Sequence, residues 1–122
     1  DELEQSILRE AAKIADAGSE TAMQAFRAGR TEQQVVADID ATLRSMGAEE
    51  TSLTCQSGVY RSGEPLIRPF ATDRVLERGD MAQMEIRGIY KGYGFDICRS
   101  AIVGPPSDTQ RHMFETVDRM LD

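Results

Sequence analysis

The stretch Gly79–Ser100, GDMAQMEIRGIYKGYGFDICRS, reads as a β-hairpin. A turn centred on Tyr90-Lys91 would set Glu85 directly opposite Asp96 across an antiparallel ladder. Side chains opposed in this way have Cβ atoms about 4.5–5.5 Å apart, and like charges at that separation destabilise the pair. Three things can offset the repulsion: a divalent cation bridging both acids, a basic neighbour such as Arg87, or a raised pKa on one carboxyl. Gly92 leaves a second register open, because it can close a three-residue loop with a bulge and slide the pairing by one. Judged on residue type alone, an acidic pair on a hairpin is more often a solvated face than a metal site.

Outward from the hairpin, the order is helices, strands, helix. Apolar residues at Leu3, Ile7, Leu8, Ala11, Ile14, Ala15, Ala22, Ala25 and Phe26 mark one face of a helix from Glu2 to about Ala28, stopped by Gly29. Thr31-Glu32-Gln33-Gln34 has the form of a capping box. It opens a second helix carrying Val35, Val36, Ile39, Leu43 and Met46, ended by Gly47, and the two helices should pack as a hairpin with these stripes in the core. One short strand is expected at Ser52–Gln56, followed by a loop through Gly58, Gly63, Pro65 and Pro69 in which Arg61, Glu64 and Arg68 are the polar candidates. Glu77-Arg78-Gly79-Asp80 makes a tight turn into the hairpin. Gly104-Pro105-Pro106 breaks the sheet, and Ser107–Gln110 is a second capping box opening a closing helix with Met113, Phe114, Val117, Met120 and Leu121. The fold class expected is α+β, one domain over residues 1–122.

Composition limits the functions open to such a domain. Its 122 residues suit one modest core. Acidic residues outnumber basic ones 21 to 14, giving a net charge of −7 and a pI of about 4.7, so nucleic acid and anionic membranes are poor partners. No apolar run approaches the roughly 18 residues of a membrane span, and DELEQSILRE is unlike a signal peptide. Cys55 and Cys98 are too few for a disulfide framework and read as thiols in a reducing cytoplasm, Cys98 with a structural role. The chain starts at Asp1 without methionine and stops at Asp122 inside an apparent helix, so we expect it to be a piece of something longer.

With helix, TEQQVV helix, strand, TDRVLERGD turn, hairpin ending GYGFDICRSAIVG and PSDTQRHMFE helix in that order, the chain resembles the N-terminal half of the pita-bread fold. Methionine aminopeptidase, aminopeptidase P, prolidase and creatinase share that fold. The resemblance covers nearly the whole chain and is strongest from Thr72 to Gln110. It implies two metal-ligand positions eleven residues apart on the hairpin, held here by Glu85 and Asp96, the latter within the D-I-x-R-[ST] context formed by Asp96, Ile97, Cys98, Arg99 and Ser100. It further implies Mn²⁺, Co²⁺ or Zn²⁺ in a full-length protein, none in this chain alone, and substrate contacts from Arg68 and Arg99.

Three departures from the family pattern accompany the match. The first ligand position holds Glu rather than Asp. No histidine precedes the TDR turn, where Ile67, Arg68 and Phe70 stand instead, and His112 lies on the closing helix. Arg87, two residues from Glu85 and so on the same strand face, could pair with it and take the space of a cation. The family's remaining ligands, a histidine and two glutamates, come from a C-terminal half, so this chain by itself should hydrolyse nothing. The resemblance therefore implies a hydrolase of a C–N bond, Xaa-Pro dipeptidase- or aminopeptidase-like, taking a small peptide or amide. The alternatives are a creatinase-like, metal-independent amidinohydrolase and a non-catalytic pita-bread binding domain. Half of a pseudo-symmetric sheet leaves an edge uncovered, so a homo-oligomer is expected.

Overall fold

The computed structural model describes residues 1–58 and 70–121. The elements run α1 (Glu2–Ala25), α2 (Glu32–Ser45), β1 (Glu50–Gly58), β2 (Met81–Tyr90), β3 (Tyr93–Ile102) and α3 (Asp108–Leu121). The three strands form one antiparallel sheet in the order β1-β2-β3. The α1 and α2 helices cross one face of it.

Local chemistry accounts for the element ends. Both capping boxes expected from the sequence are formed. Thr31 Oγ1 accepts from the Gln34 amide at 3.1 Å while Gln34 Oε1 accepts from the Thr31 amide at 3.0 Å. At α3, Ser107 Oγ accepts from the Gln110 amide at 3.3 Å and Gln110 Oε1 from the Ser107 amide at 2.9 Å. The α1 helix stops at Ala25, three residues earlier than its apolar spacing suggests, because the chain turns there to reach β-bridge partners: the Gly29 amide donates to Leu76 O at 2.9 Å. Strand β1 is longer at both ends than Ser52–Gln56, since it pairs with nearly the whole of β2.

The core lies between the helices and the sheet. Ile14, Ala22, Val35, Ile39, Leu43, Cys55, Met84, Ile86 and Val103 are its buried members. Fully burying a side chain of the Ile or Leu kind is worth about 1.5–3 kcal/mol. Gly18 lets α1 approach closely, because a Cβ there would come within 2.8 Å of the Leu43 side chain and 3.4 Å of Ile86. Not all of the predicted stripe is core: Leu3, Leu8 and Met46 are exposed.

The hairpin register differs from the one centred on Tyr90-Lys91. Tyr90 pairs with Tyr93, so the loop is Lys91-Gly92. Both loop residues have positive φ, 48° and 78°. That is the type I′ conformation, whose twist matches the flanking strands, and glycine at the second position makes it accessible. The pairing moves by two residues relative to the expectation, which preserves the side-chain faces but changes the partners. Glu85 faces Cys98, and Asp96 faces Arg87.

Candidate functional site

Strand alternation separates two faces of the sheet. Ala82, Met84 and Ile86 of β2 are buried under the helices, while Gln83, Glu85 and Arg87 turn to the opposite face. Register adds Thr54 and Ser52 from β1 beside Glu85 and Arg87, and Asp96, Cys98 and Ser100 from β3. The result is a polar surface with no described element across it.

Four residues form a square on that surface: Glu85 opposite Cys98, and Arg87 opposite Asp96. The two carboxylates therefore occupy one diagonal, where separations are about 7–8 Å, instead of facing each other. Arg87 Nη2 lies 3.2 Å from Glu85 Oε2, the pairing anticipated from their spacing. Arg87 Nε is buried without a hydrogen-bond partner, although the side chain as a whole is 42% exposed. Asp96 is exposed and, among the described residues, has no hydrogen bond or ion pair. Beside this square, Gln56 Nε2 donates to Gln83 Oε1 at 3.4 Å, and Gln83 Nε2 donates to Cys98 Sγ at 3.5 Å.

Other residues singled out from the sequence fall elsewhere. Arg99 pairs in register with Met84, which puts it on the helix-side face, and its Nη1 donates to Cys98 O at 2.8 Å. It is not on the same face as Glu85 and Asp96. Arg68, with Arg61 and Glu64, lies outside the described residues. His112 is exposed on α3.

A second polar cluster, at the ends of α2 and β1, was read from the sequence only as a cap and a turn. Glu32 is fully buried and accepts from Ser57 N (2.7 Å), Ser57 Oγ (2.9 Å), Thr72 N (2.9 Å) and Thr72 Oγ1 (2.7 Å). Burial opposes its charge, but the hydrogen bonds from Thr72 and Ser57 outweigh that and hold the carboxyl below its ordinary value. Arg74 forks onto Asp80 at 2.6 and 3.1 Å and also donates to Ser57 Oγ at 2.8 Å, and Asp80 further accepts from the Glu77 amide at 2.8 Å. The cluster ties the TDR turn to α2 and to the entry of β2. A charged residue in the first turn of α2 was the visible signal for it, and its distant partners were not.

A divalent ion shared by Glu85 and Asp96 would have to sit where the diagonals of the square cross, next to the Arg87 guanidinium. Glu85 already accepts from that guanidinium. Among the described residues, no group of three or more His, Cys, Asp or Glu is placed to hold a metal ion. With the Arg87 guanidinium seated on Glu85, the two carboxylates as arranged do not fit a bridged metal pair.

Comparison with known proteins agrees with the architecture. The chain is 32% identical over 117 residues to the Xaa-Pro dipeptidase of Pyrococcus horikoshii, covering 95% of this chain and 33% of that protein. The solved prolidase from Pyrococcus furiosus superposes with a TM-score of 0.82 at 31% identity, over 94% of this chain and 34% of that one. An X-Pro aminopeptidase from Thermotoga maritima superposes with a TM-score of 0.74 at 37% identity, over 89% of this chain and 30% of that one. The chain thus spans about a third of the length of the curated relatives it matches. Residues 6–122 match metallopeptidase family M24. On this match and these superpositions, the chain belongs to metallopeptidase family M24 and forms the N-terminal part of its pita-bread fold.

Proposed function

We propose that the whole protein carrying this chain hydrolyses a C–N bond in a small peptide or amide, in the manner of an Xaa-Pro dipeptidase, with the open sheet face as one wall of the site. The observation that supports this most is the placement of Glu85, Arg87 and Asp96 together on that polar face, in a chain whose relatives include proteins named Xaa-Pro dipeptidase. Asp96, exposed and without a partner among the described residues, is the group able to take a proton from an attacking water. Arg87 can turn a donor toward negative charge developing on the substrate oxygen, an interaction that strengthens as the charge forms. Glu85 orients Arg87 through their ion pair.

Family membership brings a divalent metal into consideration for the whole protein, with Glu85 and Asp96 as two of its ligands. That role requires Arg87 to leave Glu85 and further ligands to come from outside this chain. The Glu85–Arg87 pair favours a second reading of the same reaction class, hydrolysis of an amide without a metal at this pair. Both readings are tested by incubating the whole protein with a panel of Xaa-Pro dipeptides and small amides. Release of free amino acid or amine, lost in Asp96→Asn, supports hydrolysis. A protein inert toward the whole panel would instead point to a binding domain.

A further inference from the structure

We propose that Arg87, paired to Glu85 and opposite Asp96 in register, is the resident cation of this site and keeps divalent ions out. This deepens the hydrolase reading and rests on it only for the location of the site.

Glu85 and Asp96 occupy one diagonal of a four-residue square, and Arg87 and Cys98 the other. An ion serving both carboxylates must lie over the crossing point, within about 2.0–2.6 Å of an oxygen from each. The guanidinium is already at that edge of Glu85, with Nη2 3.2 Å from Oε2. Its Nε is buried without a hydrogen-bond partner, while the side chain as a whole is 42% exposed. Asp96, the directly opposed neighbour, supplies a second negative charge across the ladder. Two carboxylates and one guanidinium leave this patch with a formal charge of −1, whereas an added divalent ion would face a fixed positive charge a few ångströms away. Arginine suits the role because its planar fork can address one acid while staying near another.

The test is Mn²⁺ titration of the whole protein by calorimetry, with electron paramagnetic resonance reading the bound fraction, in wild type and four variants. Arg87→Ala removes the charge, and Arg87→Met removes it while keeping an apolar stem over the sheet. Arg87→Lys keeps the charge. The double variant Arg87→Met with Asp96→Ala removes one carboxylate as well. Arg87→Ala and Arg87→Met should bind Mn²⁺ at least about tenfold more tightly than wild type. Arg87→Lys should stay at the wild-type level, and the double variant should lose the gain. Wild type binding Mn²⁺ as tightly as Arg87→Met, or a gain that survives removal of Asp96, would overturn the inference. Because the titration reads no turnover, an inert protein that follows this pattern leaves the inference standing, and tight Mn²⁺ binding by an active wild type sinks it while leaving hydrolysis intact.

Discussion

Two buried acids carry most of the structural consequence at the level of single residues. Glu32 has a folded pKa below its ordinary value, so its contribution to stability is fully present above the unfolded value and is lost as pH falls through the folded one. Glu32→Gln should therefore flatten the acid limb of a thermal-melt series. At neutral pH the same variant should cost about 1–3 kcal/mol, because an amide cannot accept from all four donors of Ser57 and Thr72. Asp80→Ala leaves Arg74 beside an empty socket and should cost about 3 kcal/mol in denaturant unfolding. Neither role was legible in the sequence. The capping box at Thr31 was, since it is written in four consecutive letters, but Glu32 finds its partners 25 and 40 residues downstream.

Among the elements, the hairpin carries the site and shows where reading a sequence stops. Alternation revealed which residues share the open face, and that survived because the register moved by an even number of residues. The facing partners did not survive. Lysine at the first position of a type I′ turn is an uncommon choice, so Lys91-Gly92 was hidden beside Tyr90-Lys91. Gly88 reports on the observed pairing: a Cβ there would lie 2.4 Å from the Phe95 ring and 2.9 Å from Glu50 O. Gly88→Ala should thus cost about 1–3 kcal/mol and shift the Phe95 ring resonances, whereas Gly94→Ala, whose added Cβ would meet only Gly88 O at 4.0 Å, should do neither.

For the molecule as a whole, the helices cover only one side of the sheet, and α3 has no buried residue. Its Val117, Met120 and Leu121 are more than half exposed, and Gln110 Nε2 ties its start to Gly79 O at 2.9 Å. An amphipathic helix in that condition invites association. Light scattering on the 122-residue chain should give a mass above that of a monomer, reduced toward it by Val117→Lys with Met120→Lys. No helix among the described residues is long and apolar enough to cross a membrane.

The fold class and its family could be inferred from ordered motifs, because caps, turns and the hairpin are local features. The Glu85–Arg87 pair was foreseeable from an i, i+2 spacing, but its consequence for Asp96 needed the ladder.

If the face bearing Glu85, Arg87 and Asp96 performs hydrolysis with Arg87 as its cation, turnover by the whole protein should not depend on a metal. The most direct measurement is turnover of an Xaa-Pro dipeptide or small amide by the whole protein after exhaustive treatment with a chelator, in wild type and Asp96→Asn. The account predicts turnover that resists the chelator and falls at least about a hundredfold in Asp96→Asn, with the thermal midpoint retained. Turnover that vanishes with the chelator and returns with Mn²⁺, or that is untouched by Asp96→Asn, would contradict it.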